Sequence, residues 1–68
     1  RHIPGYLTIP QIAPQLGVTA HWIYHLIRRG RIEMVRDDQT SLYLFPDRPE
    51  TLILLRQLKA GTIKNLRF

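Results

Sequence analysis

The tightest constraint in this chain is the tripeptide Gly17-Val18-Thr19, which stands between two stretches that each carry helical apolar spacing. Before it, Ile9, Ile12, Ala13 and Leu16 recur as one face of a helix. Thr8 reads as the N-cap of that helix and Gln11 completes a capping box. Pro10 fits the first turn, where a missing N–H costs little. Gly17 suits the left-handed residue that ends a helix. Val18 lies in the turn, placed to fill the space between two helices, and Thr19 is a second N-cap. The second helix is predicted over roughly Ala20 to Arg29, with Gly30 closing it. Two helices joined by so short a turn must cross steeply, as in a helix-turn-helix. Pro14 is the discordant residue: it removes a backbone bond and crowds the carbonyl of Pro10, so the first helix is expected to be short, bent or 3₁₀-like.

The second helix divides into two faces. Ile23 and Ile27 lie one turn apart and should meet the first helix, with Leu26 beside them. The opposite face shows His21, Tyr24, His25 and Arg28, with Trp22 towards its edge and Arg29 after it. Hydrogen-bond donors, aromatic planes and positive charge without acid are the chemistry that a helix entering the major groove of DNA needs. Each feature also has a plainer explanation. A basic face is usually a solvated surface, Arg28 and Arg29 complement the dipole at a helix C-terminus, and Trp22 is of a type more often half-buried packing than base contact. His21 and His25, four apart, have the spacing for a metal, but no carboxylate or cysteine stands near them in sequence, so no metal site is expected. The conjunction of turn spacing, aromatic-basic face and charge favours DNA.

Charge is unevenly spread. The formal net charge is +5; residues 1–36 hold five Arg against one Glu, and residues 37–68 hold five Lys or Arg against four acids. The positive field therefore belongs to the helix-turn-helix half, where it would attract a phosphate backbone in a salt-dependent way. An acidic protein or a membrane surface would feel the same field. With 68 residues, of which 44% are apolar, the chain has room for one domain with a small core. The absence of cysteine excludes disulfides and thiolate metal sites. No apolar run approaches the 18 or so residues that a membrane span requires, and no signal peptide is visible. The first residue is Arg rather than Met, which suggests a domain excised from a longer chain.

Residues 1–7 read as a lead-in, with a Pro4-Gly5 turn and with Tyr6 and Leu7 anchoring the first helix. After Gly30, Ile32, Met34 and Val35 form one apolar segment and Leu42 to Phe45 a second. Asp37-Asp38-Gln39-Thr40 between them is a polar turn, so the segment is expected to be a β-hairpin over 32–45. A hairpin directly after a recognition helix is a wing. Arg31 at its base and Arg36 along its first strand would then reach phosphate, while the two acids argue against deep insertion of the tip. Either parity of the second strand, Leu42/Leu44 or Tyr43/Phe45, is apolar enough to face inward. A third helix is predicted from about Arg48 to Ala60, with Asp47 as N-cap, Glu50 completing a capping box and Gly61 at its end. Leu52, Leu55 and Leu58 form its core stripe, and Ile53 and Leu54 widen the apolar arc in a way that favours a mostly buried helix. The fold class expected is therefore mainly α with a small β-hairpin, a winged helix-turn-helix over residues 1–61, followed by a C-terminal tail or linker over 62–68.

The run GVTAHWIYHLIRRGRI, residues 17–32, resembles the recognition-helix stretch of MerR/excisionase-like winged helix-turn-helix domains. In that group a G-V-[ST] turn precedes a helix with Ile or Leu at the position of Ile23. A Gly closes the helix where Gly30 stands, and an apolar residue follows soon after, here Ile32. The hairpin 32–45 and the helix from Asp47 fall where the family has its wing and following helix, so the resemblance covers about residues 6–60. It implies binding of double-stranded DNA, with the second helix in the major groove and the wing on the neighbouring backbone. By position, Ala20, His21, Trp22, Tyr24, His25 and Arg28 would face DNA, with Arg36 and Tyr43 as wing candidates. Trp22 departs from the family, which commonly has a small polar residue there, and Pro14 is unusual in the first helix. The run LYLFPDRPETL is also similar to segments at the ends of site-specific recombinases and mobile-element proteins.

The function expected is sequence-specific binding of double-stranded DNA by part of a recombinase, an excisionase-type factor or a transcription regulator. Arg28 and Arg29 would contact phosphate or guanine, and His21, Tyr24 and His25 would supply further hydrogen bonds. Such a module would work as a homodimer or linked to a parent domain, in the cytoplasm of a bacterial-type cell, at the nucleoid. No cofactor, membrane or metal is called for. The alternative is a protein-interaction domain using Ile53, Leu54, Leu66, Phe68 and Trp22. An enzyme is not expected, because no spacing sets a nucleophile beside a base.

Overall fold

A computed structural model describes residues 3–68; Arg1 and His2, the first two residues of the expected lead-in, lie outside it. The elements in order are β1 (Tyr6–Leu7), α1 (Ile9–Leu16), α2 (Ala20–Arg28), β2 (Ile32–Glu33), β3 (Phe45–Pro46), α3 (Pro49–Ala60) and β4 (Leu66–Arg67). Three helices and short strands thus share one core, a mixed α and β arrangement. Ile12, Ile23, Ile32, Phe45 and Leu55 are its fully enclosed large side chains, one each from α1, α2, β2, β3 and α3. Among the described residues no helix is long and apolar enough to cross a membrane.

The first helix begins where Thr8 and Gln11 place it. The Thr8 N–H and hydroxyl both donate to Gln11 Oε1, at 2.8 and 3.1 Å. The helix is short, as expected, at eight residues, but it is α-helical rather than 3₁₀-like, with Pro14 exposed inside it. Only the one bond from its missing N–H is lost, while Ile12, Ala13 and Leu16 stay seated in the core. Gly17, at φ +67, then closes α1 in a Schellman motif. Its N–H donates to the Pro14 carbonyl, and the Val18 N–H donates to the Ala13 carbonyl. A side chain at that φ would be strained, so glycine is required for the chain to turn here. The same pair of bonds ends α2, where the Gly30 N–H reaches Ile27 and the Arg31 N–H reaches Leu26. Thr19 caps α2 as predicted, accepting from the Trp22 N–H at 3.2 Å.

The third helix starts later than its sequence signals suggest. Asp47 is not its N-cap; Arg48 is, in extended conformation with no side-chain cap bond. The cause is Pro49, whose ring disfavours helical geometry in the residue before it and is itself suited to the first helical position. Glu50 therefore falls at the second helical position, where a capping box cannot form, and its carboxylate only complements the helix dipole. Thr51 takes the structural role instead: it is buried, and its hydroxyl donates to the Pro46 carbonyl at 2.6 Å. Leu55 and Leu58 line the core as expected and Leu52 is half-buried, but Ile53 is 51% exposed, so α3 is not a mostly buried helix.

The expected hairpin over 32–45 does not form as a two-stranded ladder. Its arms are joined by a single bridge, Arg36 to Tyr43, and then separate. β3 pairs antiparallel with β1, setting Leu7 opposite Phe45, and β2 pairs parallel with β4, setting Ile32 opposite Leu66. The tip is a turn as predicted: Asp37 Oδ2 accepts from both the backbone and the hydroxyl of Thr40, and the Ser41 N–H reaches the Asp37 carbonyl at 2.7 Å. Of the two apolar arms, Val35 ends up 73% exposed and Met34 half-buried, while Phe45 is enclosed.

The residues after Gly61, expected to be a tail or linker, complete the core. Leu66 is buried, its N–H donates to the Arg31 carbonyl at 2.8 Å, and the Phe68 N–H donates to Glu33 at 2.9 Å. The Phe68 ring meets Phe45 edge-on at 5.4 Å, so this segment links the two small sheets. The Glu33–Arg67 ion pair alongside is exposed and contributes little.

Two substitutions test this packing in denaturant melts. Ile23→Ala is expected to cost about 2–5 kcal/mol, as a large-to-small change at an enclosed site. Leu66→Ala is expected to cost roughly 2 kcal/mol, near the low end of that range because the residue lies at the edge of the core; a free tail would show no loss.

Candidate nucleic-acid interface

With Ile23 and Leu26 buried and Ile27 half-buried, α2 is fixed in rotation. Successive residues advance by about 100° around a helix, so Tyr24, Arg28, His21 and His25 share an arc of about 100° on the far side. All four are exposed, Tyr24 at 41%. Ala20 and Trp22 flank the arc, both half-buried and packed on the core, as expected for Trp22 at the edge of the face. Arg29 follows as the exposed C-cap residue. No acidic residue occurs anywhere in α2. The imidazoles of His21 and His25 stack at 6.5 Å between centroids with planes 27° apart. Among the described residues there is no group of three or more His, Asp or Glu able to enclose a metal.

The loop after β2 is held against this arc by aromatic contacts. Tyr43 meets Tyr24 edge-on at 6.1 Å with the rings 69° apart, the geometry that the ring quadrupoles favour. The Arg36 guanidinium carbon stands 5.4 Å from the Tyr43 ring centre, and Arg36 Nε donates to the Ser41 carbonyl at 3.1 Å. A continuous surface results, running from the stacked histidines through Tyr24 and Tyr43 to Arg36. Sequence reasoning named these residues separately; nothing in their spacing shows that Tyr24 and Tyr43, far apart in the chain, touch.

Both signs of charge lie near this surface. Of the two acids at the loop tip, Asp37 is half-buried and its carboxylate is occupied by Thr40, leaving Asp38 exposed. Glu33 pairs with Arg67. Arg28, Arg29 and Arg36 are exposed, and among the described residues no carboxylate pairs with them. Arg31 is half-buried at the β2–β4 edge: its Nε donates to the Lys64 carbonyl at 3.0 Å, which holds the side chain there and leaves its two terminal nitrogens for other partners.

The residues proposed for protein docking are dispersed. Leu66 is enclosed, Phe68 packs on Phe45, and Ile53 alone is strongly exposed. A separate apolar groove lies between Ile3, Tyr6, Val35, Leu44, Pro46 and Phe68. Compared with protein-family models, curated proteins and solved structures, the chain matches none of them.

Proposed function

We propose that the chain is a winged helix-turn-helix module that binds double-stranded DNA, of the MerR/excisionase-like kind that its sequence resembles. In this reading α2 enters the major groove, and the loop over 36–43 acts as a short wing on the adjacent backbone. The observation that carries it is the acid-free arc of His21, Tyr24, His25 and Arg28, continuous with Arg36 and rimmed by Arg29. Histidine and tyrosine donors reach base edges or phosphates, and arginine offers a planar fork that matches guanine or a phosphate. The helix-turn-helix spacing supports the same reading, because the three-residue turn and the two glycine-closed ends present α2 on a rigid base. One such module buries little surface, so useful affinity calls for a second copy or a linked domain, as in a recombinase, an excisionase-type factor or a transcription regulator.

The test is NMR titration of the labelled domain with a generic duplex at two salt concentrations. Shifts are expected on residues 20–29 and 36–43, weakening as salt rises. Arg28→Ala is expected to weaken binding and lower the salt slope by about one while leaving the melt unchanged. Unaltered binding by that variant would remove α2 from the interface. A domain that shows no shifts on residues 20–29 and 36–43 does not bind DNA in this way, and the third helix and the C-terminal segment become the surface to test with protein partners.

A further inference from the structure

We propose that Tyr43 is a positioning residue: it holds the Arg36 guanidinium in a fixed place beside α2, so that helix and loop meet the DNA backbone as one preset surface. The inference rests on the DNA-binding reading and deepens it.

Arginine is a long, flexible side chain, and fixing it at a surface costs conformational entropy when the ligand arrives. Arg36 has part of that order before any ligand is present. Its Nε is committed to the Ser41 carbonyl at 3.1 Å, and its guanidinium lies over the Tyr43 ring at 5.4 Å. The Tyr43 ring is in turn braced by the edge of Tyr24, which stands on α2. The loop supporting Ser41 is itself tied down. Asp37 binds Thr40 through its carboxylate and Ser41 through its carbonyl, and the Asp37 N–H reaches Leu42 at 2.8 Å. Ser41 adopts φ +60, a left-handed conformation that a non-glycine residue keeps only when its surroundings impose it. With Nε used, the two terminal nitrogens of Arg36 remain to meet a phosphate. The arms of the loop share only one bridge, Arg36 to Tyr43, so the sheet itself gives this arginine little support. The aromatic brace supplies what a regular wing would obtain from its ladder.

The experiment measures binding of the purified domain to a generic duplex over a range of salt, by fluorescence anisotropy. Arg36→Gln is expected to lower affinity about fivefold and to reduce the salt slope by about one, the signature of one lost phosphate contact. Tyr43→Ala is expected to give the same change of slope although it removes no charge, a result that loss of packing alone would not produce. In the Arg36→Gln background, Tyr43→Ala should add no further loss, because the two act through one contact. Tyr43→Phe keeps the ring and should restore the Arg36-dependent slope. If Tyr43→Ala does not fold, Tyr43→Leu, which keeps apolar bulk but removes the ring, is read in the same way. The inference is overturned if wild-type protein binds the duplex and the variant that lacks the Tyr43 ring keeps its salt slope, or if that variant's loss adds fully to that of Arg36→Gln. A wild-type domain that ignores the duplex overturns the DNA-binding reading and this inference together.

Discussion

The carboxyl end of α1 is the joint on which the rest of the fold depends. Four carbonyls there lack helical partners, and each is met from a different source. Ala13 and Pro14 are bonded by the backbone of the turn, through Val18 and Gly17. Leu16 and Gln15 receive Lys59 Nζ at 2.9 Å and Arg56 at 3.4 Å, both from α3. Two cations at the negative end of the α1 dipole fasten the first helix to the third, and the turn that follows starts α2 at a defined angle. This joint, together with the burial of Ile23 and Leu26, sets the direction of the exposed face of α2.

A small domain cannot enclose much surface, and this one uses nearly every apolar side chain to enclose a single core. The chain ends contribute to that economy. β1 covers one side of Phe45 by pairing with β3, while β4 covers Ile32 by pairing with β2. An isolated two-stranded hairpin is marginal in water. Splitting its arms between two other partners seats both Ile32 and Phe45 in the core and leaves only the tip, 36–43, projecting. That separation leaves a short loop with Arg36 and Tyr43 at its root beside Tyr24.

The surface that remains is polar, aromatic and positive on one side. Lys59 and Arg56 serve the α1 terminus, Arg31 serves the β2–β4 edge, and Arg67 pairs with Glu33. The arginines left exposed without a carboxylate partner among the described residues include Arg28, Arg29 and Arg36, gathered at α2 and its adjoining loop. At this surface Arg28, Arg29 and Arg36 face two acids, Asp37 and Asp38, at the loop tip, and α2 itself carries none. This is where a phosphate backbone would be drawn, at long range and in a salt-dependent way.

Local chemistry was legible in the chain. Thr8 with Gln11, Thr19, Gly17 and Gly30 announce the ends of the first two helices, because caps and left-handed turns depend on residues within four or five positions. Apolar spacing was enough to bury Ile23 and Leu26 and so to expose His21, Tyr24, His25 and Arg28. Pro14 signalled a short α1 but not that it would stay α-helical, because the cost of one lost bond is local whereas the packing that outweighs it is tertiary. Asp47 misled for a reason that is also local: Pro49 forces Arg48 into extended geometry and shifts the helix start by one residue. The pairing of the strands was beyond the sequence, since alternation shows that a segment is half-buried but not which segment lies beside it. Only the tertiary structure decided that Leu66 belongs to the core, that Arg31 reaches the Lys64 carbonyl, and that Tyr43 joins Tyr24 to Arg36. Those are contacts between residues distant in the chain, chosen by how the whole core closes, and no spacing rule along the sequence encodes them.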